Sequence, residues 1–209
     1  MRFHGKFITL EGIEGTGKST QMAFISKELS ARAMDVLTLR EPGCTKISEK
    51  IRNLLQYDEE CHNMFPETEL LLFEASRAQL VREVIVPALG KGTWVVCDRF
   101  FDSTIAYQGS ARNLPMSIIE MLNSFAVGNC VPDMTIILDL DPRLSLARLS
   151  KRNRHLDRIE TESLEFFSLV RKKYLEIAKT DDRFAVVDAS VEPAVLGKNI
   201  MNEITKKFF

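Results

Sequence analysis

Five short apolar runs punctuate the chain: FITL at 7–10, DVLTLR at 35–40, TWVVCD at 93–98, MTIILDL at 134–140 and RFAVVDA at 183–189. Each is rich in β-branched residues and too short for a helix, so each reads as a buried strand. The intervening segments are patterned differently. From Ser19 to about Ala33, the apolar residues Met22, Phe24, Ile25, Leu29 and Ala33 recur at helical spacing, and LLFEASRAQ at 71–79 lies within a long helical stretch. No internal repeat interrupts this alternation. It predicts an α/β fold: a doubly wound, five-stranded parallel sheet in three layers, with helices on both faces and a ligand crevice at the carboxyl ends of the strands. The residues just after the strands are charged or turn-forming, as a crevice rim would be: Arg40-Glu41-Pro42-Gly43, Asp98-Arg99, Asp139-Leu140-Asp141 and Asp188-Ala189-Ser190.

The first strand runs into TLEGIEGTGKSTQ, Thr9 to Gln21. Gly12, four residues, then Gly17-Lys18-Ser19 fit G-x-x-x-x-G-K-[ST], the loop whose glycines let backbone N–H groups turn inward onto a phosphate. A strand before it and a helix after it supply the required context, because the helix N-terminus adds partial positive charge to the cradle. The stretch Gly12, Ile13, Glu14, Gly15, Thr16, Gly17, Lys18, Ser19 and Thr20 is therefore the expected nucleotide-phosphate site.

Composition narrows the class. A length of 209 residues suits one domain, 1–209, with any extra segment serving as a lid. A net charge of −1 advertises neither nucleic acid nor membrane as a partner. No apolar run approaches a membrane span, and the first residues do not resemble a secretory signal. Cys44, Cys61, Cys97 and Cys130 are scattered and form no ligand spacing with His4, His62 and His155, so reduced thiols in a cytoplasmic protein are expected, without a structural metal site. The chain also lacks the D-x-x-G and N-K-x-D signatures of a GTPase. A small kinase of nucleotides or metabolites remains.

Four further segments bear on the acceptor: REPGCT at 40–45, LLFEASRAQ at 71–79, DRFFDSTIAYQG at 98–109 and RLSKRNRHLDRIE at 148–160. With EGIEGTGKST, and in this order and spacing from the first strand to the last, they resemble the bacterial thymidylate kinases (dTMP kinases) of the P-loop nucleoside monophosphate kinases. The resemblance implies ATP-dependent phosphorylation of dTMP to dTDP, a P-loop kinase fold with a short lid near 148–160, Mg²⁺ as cofactor and a homodimer. It implies that Lys18 bridges the β- and γ-phosphates of ATP, that Ser19 helps to hold Mg²⁺, and that Glu14 accepts a hydrogen bond from the 3′-hydroxyl of dTMP. Arg99 then clamps the acceptor phosphate, and Asp98 orients either a Mg²⁺-bound water or Arg99 itself.

Phe73 and Arg77, four apart on one helix face, correspond to the thymine-stacking residue and the donor to thymine O4. Pattern alone favours ordinary core packing for Phe73 among Leu70, Leu71 and Leu72. Ser103, Thr104, Tyr107 and Gln108 would close over the nucleoside, with Tyr107 against the deoxyribose where a 2′-hydroxyl would clash, and Thr104 and Gln108 at the thymine edge. A polar first helical turn with a half-buried Tyr107 is the alternative, weighed equally for Thr104. Pro42 would pack beside the acceptor nucleotide.

Two departures qualify the resemblance. Cys44 replaces the second glycine of the usual R-E-P-G-G-T, which demands a tighter conformation at that turn or a moved loop. Positions 15 and 16 are glycine and threonine, so the phosphate loop has no arginine of its own. The basic segment with Arg148, Lys151, Arg152, Arg154 and Arg158 offers a substitute, with Arg152 or Arg154 the candidates. Another small-molecule kinase would share the loop without needing the Phe73, Arg77, Tyr107 and Gln108 set. A non-catalytic nucleotide-binding protein would not need Arg99 or the lid arginines.

Overall fold

The protein is described by a computed structural model covering residues 4–61, 63–152 and 156–209. Its five strands are β1 (Phe7–Glu11), β2 (Val36–Arg40), β3 (Trp94–Asp98), β4 (Met134–Asp139) and β5 (Phe184–Asp188). They form one all-parallel sheet in the order β2-β3-β1-β4-β5, with the sites of Thr9, Cys97 and Thr135 in register across the centre. Every expected strand is present, with ends shifted by no more than about two residues, as expected where backbone hydrogen bonding sets the limits.

The central strands are buried on both faces, so neighbouring residues along them enter different cores. Ile8, Leu10, Val96, Ile136 and Leu138 meet Ile25 and Leu29 of α1 (Lys18–Ala31) and Ile200 and Ile204 of α9 (Pro193–Phe208). Phe7, Val95 and Cys97 point the other way. There they join Leu80, Val81, Ile85 and Leu89 from the helical stretch of α3 (Pro66–Leu80), a π-turn (Val81–Ile85) and α4 (Val86–Gly90). The same layer holds α2 (Lys46–Gln56), α5 (Phe101–Thr104), a second π-turn (Ile105–Ala111), α6 (Met116–Val127) and α8 (Leu164–Ile177), while α7 (Pro142–Leu149) follows β4. The π-turns went unforeseen because a single inserted residue is confined to one turn, too short a stretch for apolar periodicity to register.

Parallel strands put all their carboxyl ends at one edge, where Glu11, Arg40, Asp98, Asp139 and Asp188 stand side by side. The turn after β2 accommodates Cys44 at φ 68°, in the left-handed region, and Gly43 at φ 140°. Gly43 takes a backbone that L side chains rarely adopt, and a Cβ there would displace the Arg40 guanidinium and the Glu49 carboxylate, while Cys44 adopts a backbone that a glycine would reach without strain. Its N–H donates to Glu49 Oε1 at 2.6 Å and its Sγ accepts from the N–H of Arg40 at 3.3 Å, which holds the loop in spite of that strain.

A buried ion pair braces the sheet beneath the crevice. Arg183, just before β5, donates to both oxygens of the fully buried Asp102 at 2.8 Å each and to Thr135 Oγ1 at 2.5 Å, with its guanidinium over the rings of Phe101 and Phe184. Asp102 lies three residues after Arg99, so this clamp fixes the start of α5. Replacing Arg183 with Ala leaves Asp102 as an uncompensated buried carboxylate, and urea unfolding at pH 7 should show a loss of about 3–5 kcal/mol.

Candidate active site

The phosphate loop takes its shape from its contacts. Gly12, at φ 137°, lies so close to β4 that a Cβ would be 2.6 Å from the Leu138 carbonyl. Thr16 Oγ1 donates to the Ile13 carbonyl at 2.9 Å, Ser145 Oγ on α7 donates to the Glu14 carbonyl at 2.7 Å, and Arg148 Nη1 donates to that of Gly15 at 3.2 Å. Gly17 starts α1 in the left-handed conformation and no side chain caps the helix. Its first-turn N–H groups therefore face the loop's hollow, as an anion site requires. Lys18 folds over the loop and donates to the carbonyls of Gly12 and Ile13 at 3.1 and 3.0 Å. Burial, reinforced by the nearby Arg99 charge, pushes its ammonium down to about 8.

Arg99 is the hub of the crevice. It follows β3 at φ 71° and points its guanidinium back across the end of β1. Nη2 donates to Glu14 Oε1 at 2.6 Å and to the Tyr107 hydroxyl at 2.9 Å, while Nη1 reaches Ser103 Oγ at 3.2 Å and the Tyr174 hydroxyl at 3.3 Å. Beneath it lies Glu11, fully buried. Glu11 accepts from the N–H of Phe100 at 2.7 Å, from Ser103 Oγ at 2.6 Å and from the Tyr174 hydroxyl at 2.8 Å. With their protons committed to Glu11, those two hydroxyls present lone pairs to Arg99.

The expected residues gather in two adjoining clefts. Pro42, Phe73, Arg77, Ser103, Thr104, Tyr107 and Gln108 line one, and Gly15, Gly17, Lys18, Ser19, Thr20, Asp98 and Arg152 line the other. Glu14 and Arg99 line both. Phe73 faces the cleft rather than the core, since the helix turns Leu70 inward and leaves Leu71 exposed. Gly12, Ile13 and Thr16 shape the loop from behind without lining either space. Arg154 lies outside the described residues.

Arg77 is 1% exposed and its charge is matched inside the protein. Nε donates to Glu41 Oε2 at 2.8 Å, and Nη1 meets Glu74, Thr104 Oγ1 at 2.8 Å and Asn123 Oδ1 at 3.3 Å. Nη2 donates to the Phe100 carbonyl at 3.3 Å. Thr104 thus takes part in the Arg77 network and in the cleft wall together. Burial lifts the Glu41 carboxyl to about 7 although Arg77 pulls it down.

Several cleft residues had no sequence signal. Arg52, Gln56 and Tyr57 enter the phosphate cleft from the end of α2, a helix that none of the motifs touched. Arg52 Nη1 shares the Pro42 carbonyl with Arg40 Nη1, at 2.9 and 3.1 Å. Asp157 and Ile159, in the stretch 156–160 ahead of α8, line the acceptor cleft. The described cations of 148–160 divide by position: Arg148, in the last turn of α7, is tied to the loop and to the Ala189 carbonyl, Arg158 reaches the Leu55 carbonyl and Glu69, and Arg152 faces the phosphate cleft while donating to Glu160 at 2.6 Å.

A phosphate loop after the central strand of a 2-3-1-4-5 parallel sheet, opening into a second cleft rimmed by arginines, defines a P-loop nucleotide kinase. The thymidylate kinase family model matches residues 10–200. The chain is 44% identical over 198 residues to the thymidylate kinase of Kosmotoga olearia, covering 94% of each chain. It is 44% identical over 189 residues to that of Carboxydothermus hydrogenoformans, covering 90% of this chain and 91% of the relative. With the thymidylate kinase of Thermosipho melanesiensis it shares 47% over 184 residues, 88% of this chain and 89% of the relative. The chain belongs to the thymidylate kinase family. No helix among the described residues is long and apolar enough to cross a membrane.

The burial of Glu11 has a measurable consequence. Desolvation, with the Asp102 charge adding to it, raises its carboxyl from 4.5 to about 7 against the pull of Arg99 and of its hydrogen bonds. Between those values the unfolded chain gives up this proton while the folded protein retains it, so ionisation favours unfolding. The contribution of Glu11 to stability should therefore fall as pH rises from about 4.5 to 7 and level off above. Glu11→Gln, compared with the parent by urea unfolding at pH 5 and pH 8, should show its relative stability improving at the higher pH.

Proposed function

We propose that the protein transfers the γ-phosphoryl group of ATP to dTMP, yielding dTDP and ADP. The observation that carries this reading is the position of Arg99 and Glu14 on the wall shared by the phosphate cleft and the acceptor cleft. A donor γ-phosphate over Lys18 and an acceptor phosphate at Arg99 would face each other there.

The acceptor needs no general base, because a nucleoside monophosphate with a second pKa near ~6 is mostly dianionic at neutral pH. Catalysis then rests on in-line placement and on neutralising charge. Lys18 would exchange the Gly12 and Ile13 carbonyls for phosphate oxygens, recovering the charge-assisted bonds its buried ammonium lacks. Arg99 would swing part of its donor set from Glu14 and Tyr107 to the acceptor phosphate. Glu14, so released, would accept from the 3′-hydroxyl, while the Tyr107 ring fills the space a 2′-hydroxyl would need. Phe73 would stack on the base with Pro42 nearby, Gln108 and Thr104 would meet its edge, and Arg77 could give O4 an N–H now spent on its long contacts to Phe100 and Asn123.

Ser19 and Asp98 line the phosphate cleft with Lys18 and offer hydroxyl and carboxylate oxygens. That hard-oxygen set fits Mg²⁺, which takes one or two protein oxygens and completes its shell with phosphates and water. When bound, the ion would supply positive charge to neutralise the donor phosphates during transfer. The segment 148–160 is read as the lid, closing over the phosphates to exclude water. Its Arg152 or Arg154 supplies the cation that Gly15 and Thr16 cannot. The reading includes a cytoplasmic homodimer, supported by the family resemblance and by the exposed Leu71 on α3 and Met121 and Phe125 on α6, two helices that pack against each other.

A coupled assay with a panel of nucleoside monophosphates should find dTMP the preferred acceptor; AMP or a non-nucleotide hydroxyl being used while dTMP is refused would overturn the assignment. Lys18→Ala should leave the circular dichroism spectrum native and nearly abolish turnover, and turnover near the parent's would remove Lys18 from phosphoryl transfer.

Replacing both Arg152 and Arg154 with Ala should lower kcat by up to the ~10³–10⁵ seen when an arginine finger is lost. Calorimetric dTMP binding without ATP should stay near the parent's value. An unchanged kcat would pass the role to Arg148, Arg158 or Arg99.

A further inference from the structure

Glu69 lies on α3 one turn before Phe73 and is 1% exposed. It is not among the residues lining the acceptor cleft, yet both its oxygens are engaged by groups that lie over or beside it. Oε1 accepts from Gln108 Nε2 at 2.7 Å and from Arg112 Nε at 3.2 Å. Oε2 accepts from Arg112 Nη2 at 3.2 Å and from Arg158 Nη2 at 2.5 Å. Burial would raise this carboxyl, but Arg112 and Arg158 outweigh it and hold the group below the ordinary carboxylate range. At neutral pH it is an acceptor only.

The consequence falls on Gln108. An amide 2.7 Å from a carboxylate can offer only its NH₂, because the reversed amide would set two acceptor oxygens against each other in a buried site. No described residue donates to Gln108 Oε1, and Gln108 lines the cleft. Its carbonyl is the end left for a ligand. A carbonyl at a pyrimidine's N3 edge complements the N3–H of thymine or uracil and opposes the N3 lone pair of cytosine.

We infer that Glu69 is a positioning residue for base selectivity: it locks the Gln108 amide with its carbonyl toward the bound pyrimidine and, through Arg158, ties that choice to the segment folded over the cleft. This rests on the reading that places Gln108 at the base edge. The carboxylate spans the three elements that must agree, α3 with Phe73 and Arg77, the π-turn with Gln108, and the 156–160 strap. Aligning these elements also satisfies its charge.

The test compares dTMP with 5-methyl-dCMP, which keeps the methyl group and size but carries an acceptor at N3. In Glu69→Gln the new amide can turn a donor toward Gln108, so Gln108 can flip, and the dTMP to 5-methyl-dCMP ratio of kcat/KM should fall about tenfold, the scale of one buried hydrogen bond. Gln108→Leu should lower the ratio too, and adding Glu69→Gln in that background should change it no further. An unchanged ratio in Glu69→Gln, with both substrates losing kcat/KM equally, overturns the inference provided Gln108→Leu lowers it. If Gln108→Leu leaves the ratio unchanged, the placement of Gln108 at the base fails and the inference with it. A measurement on the parent protein with dTMP bound guards against misfolded variants: the ¹⁵N-labelled Gln108 side-chain NH₂ should show one downfield proton protected from exchange. A freely exchanging pair would contradict the lock.

Discussion

The burial of Glu11 at the carboxyl end of the central strand is the constraint on which the rest of the crevice hangs. One carboxylate receives the N–H of Phe100, the hydroxyl of Ser103 and the hydroxyl of Tyr174, so it joins β1, the β3–α5 turn and α8 at a point where water has been removed. Each donor helps to offset the desolvation of the others' partner. The geometry of Arg99 follows from this arrangement, because its left-handed backbone lies one residue before Phe100 and two of its acceptors are oriented by Glu11.

Charge is handled in the same way throughout the crevice. Arg77 is held between Glu41 and Glu74, Arg99 beside Glu14, and Arg112 and Arg158 against Glu69. These cations are held against carboxylates inside the protein, which offsets their charge and fixes their orientation. In the proposed reaction the acceptor phosphate would compete with Glu14 for an Arg99 donor that is already oriented, so little conformational entropy would remain to be lost. The pairing with Arg99 also gives Glu14 a cationic partner inside the phosphate loop.

The two cores divide the task of holding this edge steady. The layer of α1 and α9 packs on Ile8, Leu10, Ile136 and Leu138 and keeps the phosphate loop seated between β1 and β4. The opposite layer is interrupted by polar clusters centred on Arg77 and on Asp102, each closed by carboxylate–guanidinium pairs. The acceptor cleft is therefore walled by the layer whose helices carry both apolar and ionic side chains, while α1, which follows the phosphate loop, packs on a face that is almost wholly apolar.

The sequence by itself determined the five strands, their parallel alternation with helices and the phosphate loop, because these depend on local periodicity and on glycine spacing within a few residues. Phe73, Arg77, Arg99, Tyr107 and Gln108 were legible as a set through family resemblance, and the fold brings them to one cleft. Tertiary structure alone decided which way Phe73 faces, since Leu70 to Phe73 are equally apolar in sequence and only the packing of α3 turns Phe73 outward from the core. It alone brought in Arg52, Gln56 and Tyr57, and it alone assigned partners to Glu11, Glu41 and Glu69. A carboxylate's protonation and its hydrogen bonds are set by side chains tens of residues away in the chain, and by how much water the fold leaves beside it. Neither is written in local spacing.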